Sequence, residues 1–214
     1  VTPAASRRAA FRGAAFALAL GYWLYQFPAA PDTFGGQFRF LTIWALTGSV
    51  LSFAATLRLS LGGGRAPATL VAVAAVVNAL VVLLYWRLYF TDPALVNGGN
   101  AIDPWQEYYL HFAGPLLQWI DALVLLGAFR RPGRIAVVLA AVIVAYLGWS
   151  EWIVAPLSDR PVGRVTTGLP YPFLNDMAAA ERIVFYAKAS LTALIFVGAG
   201  WGLTRLGAHL VRAG

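Results

Sequence analysis

The chain has 214 residues, of which 60% are hydrophobic and only 12% charged. A soluble domain of this size needs far more polar surface, so a soluble enzyme is excluded and the net charge of +7 reads as membrane topology rather than nucleic-acid binding. Cysteine is absent, which removes disulfides, thiolate metal sites and a cysteine nucleophile.

Six apolar runs follow one another. The first, Phe11 to Phe27, closes on the aromatic patch Tyr22, Trp23, Tyr25 and Phe27, which reads as an interfacial belt rather than the end of a cleavable leader. The second, Arg39 to Ser60, follows the turn formers PDTFGG, and Arg39 is expected to snorkel to the interface. The third, Pro67 to Phe90, carries Asn78 and Arg87. The fourth, Trp105 to Phe129, carries Glu107, His111, Pro115, Gln118 and Asp121. The fifth runs from Arg134 to Pro156, and the sixth, Met177 to Leu203, holds the single lysine, Lys188, near its middle. Each run has the roughly 20 residues that a bilayer core requires, and the alternation of a barrel strand is missing. The sequence therefore predicts an all-α membrane protein, a bundle of six transmembrane helices forming one domain over residues 1–214.

Charge orients that bundle. Arg7, Arg8, Arg12, Arg58, Arg65, Arg130, Arg131, Arg134, Arg205 and Arg212 fall on one side, with no acid beside them. Asp32, Asp92, Asp103, Glu107, Glu151, Asp159, Asp176 and Glu181 fall on or near the other. The excess of arginine on the inner side places both termini in the cytoplasm. Arginine-rich, lysine-poor and alanine-rich composition points to a bacterial chain, hence to the inner membrane. The long loops lie on the outer side, where a site is expected.

Ionisable groups inside lipid need a reason to be there. From the 1.5 Å rise per residue, Thr42 lies roughly 11 Å and His111 roughly 9 Å outward of the middle of their spans, so the two share a depth. Thr42, Ser49 and Thr56 share one face; for the latter two, close helix packing is the expected use. Glu107 stands one turn before His111 and Gln118 two turns after it on the same face. Pro115 cannot donate to the His111 carbonyl, which leaves a free acceptor and predicts a kink. Lys188 in the last span invites comparison with a retinal Schiff base, but six spans speak against it. The expected arrangement is a buried pair with Asp121, Glu151 or Asp176 in a polar cavity that Asn78 and Arg87 also line. His209 sits at the cytoplasmic end, so a bis-histidine haem or a histidine-rich zinc site is not expected, and no metal or organic cofactor is implied. A hydroxyl level with a histidine suggests nucleophilic acyl transfer, with Thr42 as nucleophile and His111 as general base. The oxyanion stabiliser that such chemistry needs is not assignable from the sequence.

The motifs resemble a known family. Phe34-Gly35-Gly36-Gln37-Phe38-Arg39-Phe40-Leu41-Thr42 is similar to the GG-x-x-(K/R)-(F/Y)-L-T lead-in to the second span of the androgen-induced membrane hydrolases, which include the androgen-dependent TFPI-regulating proteins. His111 ahead of Pro115, and Tyr171-Pro172-Phe173-Leu174 ahead of Arg182-Ile183-Val184-Phe185, match the family in order. Asn175 stands where the family pattern carries an acid, and Glu107 where it carries a non-acidic residue. The resemblance implies hydrolysis of fatty acid esters of hydroxy fatty acids, with Thr42 and His111 as the essential pair. The partners implied are a lipid ester substrate and membrane lipids. Two rival readings remain: a lipid-binding protein or transporter using Lys188, Asp121, Asn78 and Arg87, and a structural membrane subunit.

Overall fold

The computed structural model describes residues 3–28, 33–97, 103–158 and 168–213. Asp32, Asp159 and the side chain of Arg212, used above to orient the chain, lie outside the described residues. Among the described residues the chain is all-helical. Helix α1 spans Pro3–Tyr25, α2 Leu41–Ser60 and α3 Ala68–Tyr89. A short α4, Ala94–Asn97, precedes a composite rod of α5 (Pro104–Tyr108), a wide π turn (Tyr109–Ala113), α6 (Gly114–Trp119) and a second π turn (Ile120–Leu125). Helix α7, Pro132–Gly148, continues through a third π turn (Trp149–Val154) into α8, Ala155–Leu157. Then come α9, Pro172–Asn175, and the long α10, Ala179–Ala213.

Four of these helical segments are long and apolar enough to cross a membrane: Leu41–Ser60, Ala68–Tyr89, Pro132–Leu157 and Ala179–His209. The chain is thus a multi-pass integral membrane protein. The other two rods differ for physical reasons. Helix α1 carries Arg7, Arg8 and Arg12, and the fourth rod is divided by π turns and carries Glu107, His111 and Asp121. The fourth rod also stops at Leu125 rather than Phe129, because Gly127 turns the chain through φ 59°. The last helix runs past Leu203 to Ala213, where nothing breaks it.

Two of the three π turns come shortly before a proline, Pro115 and Pro156. A proline cannot donate to the ladder and crowds the preceding turn. Widening that turn makes room for the ring and keeps the rod continuous, so Pro115 brings a π turn in place of the expected kink.

The third helix is the hub. From Val71 to Val77 every residue is buried, and α2, α6, α7 and α10 pack around it. Ala45, Phe129, Ile135, Leu139, Ala193 and Val197 complete this core. Small residues allow close approach: Ala15 and Ala19 on the α1 face toward α2 are fully buried, and a Cβ added at Gly48 would touch Ala74. The outward side chains Leu83, Val124, Val137, Trp152, Ile183 and Ile195 are exposed, as lipid-facing positions require.

Candidate active site

The start of α2 is built by the segment before it. Gly35 and Gly36 take φ of 84° and 47°, where a side chain is strained, and turn the chain into a short 3-10 segment, Gly36–Arg39. Side chains from other elements pin that segment. Trp44 and Trp149 both donate their indole N–H to the Phe38 carbonyl, at 2.8 and 2.9 Å, and the Tyr146 hydroxyl donates to the Arg39 carbonyl at 3.1 Å. Gln37 donates to the Gln26 carbonyl at 2.6 Å. Arg39 does not snorkel. It is 4% exposed and donates to the Thr33 hydroxyl and, at 2.8 Å, to the Gly168 carbonyl. The loop before the YPFL motif folds over it, so the guanidinium is covered by protein instead of reaching the interface.

Helix α2 thus begins at a fixed point, and Thr42 occupies its second position. The Thr42 hydroxyl lies 3.4 Å from His111 Nε2. The shared depth read from helix rise is therefore accompanied by contact. His111 sits inside the π turn and is buried. Its carbonyl accepts the Trp86 indole N–H at 2.8 Å. Tyr85, one residue earlier, stacks on the imidazole with ring centres 3.5 Å apart and planes 6° from parallel. Glu107 Oε2 approaches His111 Nδ1 at 3.1 Å. That separation suits an ion pair, but the N–H is not aligned for a directed hydrogen bond, and both atoms otherwise lack one.

Tyr171 completes the group. Its phenol oxygen accepts the Leu41 amide N–H at 2.9 Å. The Thr42 amide, the Thr42 hydroxyl and the Tyr146 hydroxyl surround the same oxygen. The YPFL turn is itself held by Asn175, which bonds both the amide and the carbonyl of Leu169 and the carbonyl of Tyr171. Amide chemistry fills this position because it both donates and accepts here, which a carboxylate cannot do.

An apolar cavity of about 100 Å³ opens at Thr42, between α3, α7, α9 and α10. Leu80, Leu84, Leu139, Ile143, Phe173 and Phe185 line it, with Tyr85, Tyr146, Tyr171 and Tyr186 bringing hydroxyls to its wall. A second space of about 10 Å³, close to the size of one water, touches Thr42, Ser49 and Asn78.

The remaining candidates go elsewhere. Asn78 donates to Ser49 at 2.9 Å and borders the small space, not the large one. Gln118 donates to Ser52 at 2.9 Å, deeper in the bundle. Asp121 pairs with Arg12, Nε to Oδ1 at 2.7 Å, and not with Lys188. Lys188 and Arg87 are exposed and line neither space, which corrects the expected polar cavity. Depth alone suggested the Lys188–Asp121 pair, but Lys188 points off the outer face of α10. Glu151, its other candidate partner, instead takes Arg182 at 3.0 Å and the Tyr186 hydroxyl at 2.5 Å. Tyr171, Tyr85 and Trp86 were not picked out for the site from the sequence. The free His111 carbonyl behind Pro115 called for a donor, and Trp86 supplies it.

These features define a multi-pass helical membrane protein with a buried threonine and histidine in contact at the mouth of an apolar cavity. Residues 11–205 match the family model described as FAR-17a/AIG1-like protein. The chain belongs to that family, the androgen-induced family indicated by its motifs, and this membership is consistent with a membrane hydrolase. No curated protein and no solved structure gave a match beside it.

Proposed function

We propose that this protein is an intramembrane threonine hydrolase of lipid esters. The observation that carries the reading is the Thr42 hydroxyl 3.4 Å from His111 Nε2, at the opening of an apolar cavity. Thr42 Oγ forms a bond to the ester carbonyl carbon while its proton passes to His111 Nε2, and the carbonyl π pair moves onto oxygen. When that pair returns, the bond to the alcohol oxygen breaks and His111 gives its proton to the departing alcohol. A water then attacks the acyl-threonine with His111 again taking a proton, releasing the carboxylic acid and restoring Thr42. Room for that water exists at Thr42, Ser49 and Asn78. Glu107 beside Nδ1 favours the charged imidazole formed in each step.

The family resemblance makes fatty acid esters of hydroxy fatty acids the substrate class. Their acyl chain lies in the cavity and enters sideways from the lipid, with the ester at outer-leaflet depth. The topology that goes with this is six spans in one domain, both termini cytoplasmic, in a bacterial inner membrane. Lipid binding or transport without chemistry is the weaker reading, because Lys188 and Arg87 do not converge on the cavity and Asp121 is neutralised by Arg12. Labelling by a fluorophosphonate tests the nucleophile: the parent labels and Thr42→Ala does not. Equal labelling of the two proteins sinks the assignment.

A further inference from the structure

The chemistry above moves an electron pair onto the ester carbonyl oxygen, and that charge must be met in a site that excludes water. The N-terminus of α2 offers the first donors. The first residues of a helix leave amides without intrahelical acceptors, and here no side chain caps them. Leu41 and Thr42 are the first two positions of this 20-residue helix. Their amides therefore face outward at the same point as the Thr42 hydroxyl. What they face is the phenol oxygen of Tyr171, 2.9 Å from the Leu41 nitrogen.

The proton count around that phenol is informative. Tyr171 oxygen accepts from Leu41, and the Thr42 amide is aimed at it too. The neighbouring Tyr146 hydroxyl spends its own proton on the Arg39 carbonyl. The Tyr171 O–H proton thus has only the Thr42 and Tyr146 oxygens as acceptors, and both lie at the cavity wall. Protein encloses Tyr171, and its residual exposure faces the cavity. Burial pushes its phenol up from the ordinary value, against the pull of the Leu41 amide and its other neighbours, so the hydroxyl keeps its proton.

We propose that Tyr171 is a catalytic residue: its hydroxyl, held by the Leu41 amide, donates to the oxyanion that forms when Thr42 attacks an ester. The inference rests on the threonine-hydrolase reading. When Thr42 Oγ bonds to the carbonyl carbon, the oxyanion stands one tetrahedral carbon away from it. A donor already in contact with Thr42 Oγ reaches that oxygen by turning its O–H. As the substrate carbonyl arrives, the helix amides exchange the phenol oxygen for the oxyanion. The charge is then held by one side-chain donor and the start of a helix, whose dipole favours it. The loop carrying YPFL is latched by Arg39 to Gly168 and by Asn175 to Leu169. Gly168 is fixed at φ 78°, and a Cβ there would come within 2.6 Å of the Ala155 carbonyl oxygen. This bracing gives a loop-borne phenol the fixed position that such a donor needs.

The test uses the purified full chain in lipid nanodiscs, a long-chain ester, an ether analogue that cannot react, and an alkyl boronic acid that forms a tetrahedral adduct. Tyr171→Phe keeps the ring against Phe40 and Phe173 and removes only the hydroxyl. Its kcat is expected to fall about 10²–10³-fold, the usual cost of one oxyanion donor, with KM within about twofold. Boronate affinity should fall by a similar factor and ether affinity should not change. Placing 3-fluorotyrosine at position 171 gives a second variant in which packing is kept; its more acidic phenol lowers the pH at which activity falls on the alkaline side. A parental kcat in Tyr171→Phe, or an equal loss of ether and boronate affinity, overturns the assignment. If Tyr171→Phe does not fold, an unmoved alkaline limb in the fluorotyrosine protein overturns it as well. The Thr42→Ala protein separates this from the underlying reading. Parental ester turnover in Thr42→Ala removes both, whereas an inactive Thr42→Ala beside a fully active Tyr171→Phe removes only the role of Tyr171.

Discussion

Two groups of buried polar side chains sit along the same face of α2 and differ in how completely they satisfy one another. At the deeper end, Arg12 bonds Asp121 at 2.7 Å, the Ser60 hydroxyl at 2.8 Å and the Thr56 carbonyl at 3.3 Å. Gln118 joins Ser52 nearby. Neither described space reaches this group. At the other end, Thr42 and His111 are 3.4 Å apart, Glu107 is near His111 without an aligned bond, and a cavity opens beside them. A closed set of charges holds helices together. A loose set beside free space is able to act on a ligand. Apolar surroundings raise the stakes in both, since an unpaired buried group is costly there.

The sharpest way to break this contrast is to remove one member from each end. His111→Ala should lower ester turnover by about 10³–10⁴-fold with little change in the thermal midpoint of the purified protein, as expected for a lost general base. Asp121→Ala should do the reverse, because it strands Arg12 in the interior. A loss of about 3–5 kcal/mol of stability is expected, read from thermal or denaturant unfolding in detergent, with near-parental turnover per folded molecule. If Asp121→Ala abolishes catalysis at unchanged stability, the deeper group is not merely structural. Glu107→Gln sharpens the comparison within the site. It keeps size and removes charge, so kcat should drop by roughly an order of magnitude while KM holds, because an orienting partner contributes less than the base itself. The smallest effect belongs to Lys188→Met. The amine is exposed and has no ion pair among the described residues, so stability should stay within about 0.5 kcal/mol and turnover should be parental.

Much of the site was legible because helices convert sequence distance into depth. Thr42 and His111 could be placed at one level by counting residues, and Glu107 on the same face by the i,i+4 rule. Depth says nothing about rotation around the bundle. That is why Asp121 was offered Lys188 as a partner, although Arg12 from a different rod takes it. Rotation is set by packing against α3, and the uniformly apolar α3 reveals little of which neighbour lies on which side. Tyr171 was quoted as part of a motif but given no task. It reaches Leu41 from 130 positions further on, through a turn that has no helical period. Arg39 failed for a related reason: an interfacial position reads as exposed until the loop at Gly168 is known to cover it.

The π turn at Tyr109–Ala113 has a consequence for how the chain can change. Such a turn carries a surplus residue compared with an α-helical path. Deleting one residue there, at Phe112 for example, would close the turn and swing everything that follows by about 100°. Gln118 and Asp121 would then leave Ser52 and Arg12, while every side chain involved kept its chemical identity. In this rod the spacing between His111 and Asp121 acts as a phase setting, and a single deletion would put the two ends of the molecule out of step.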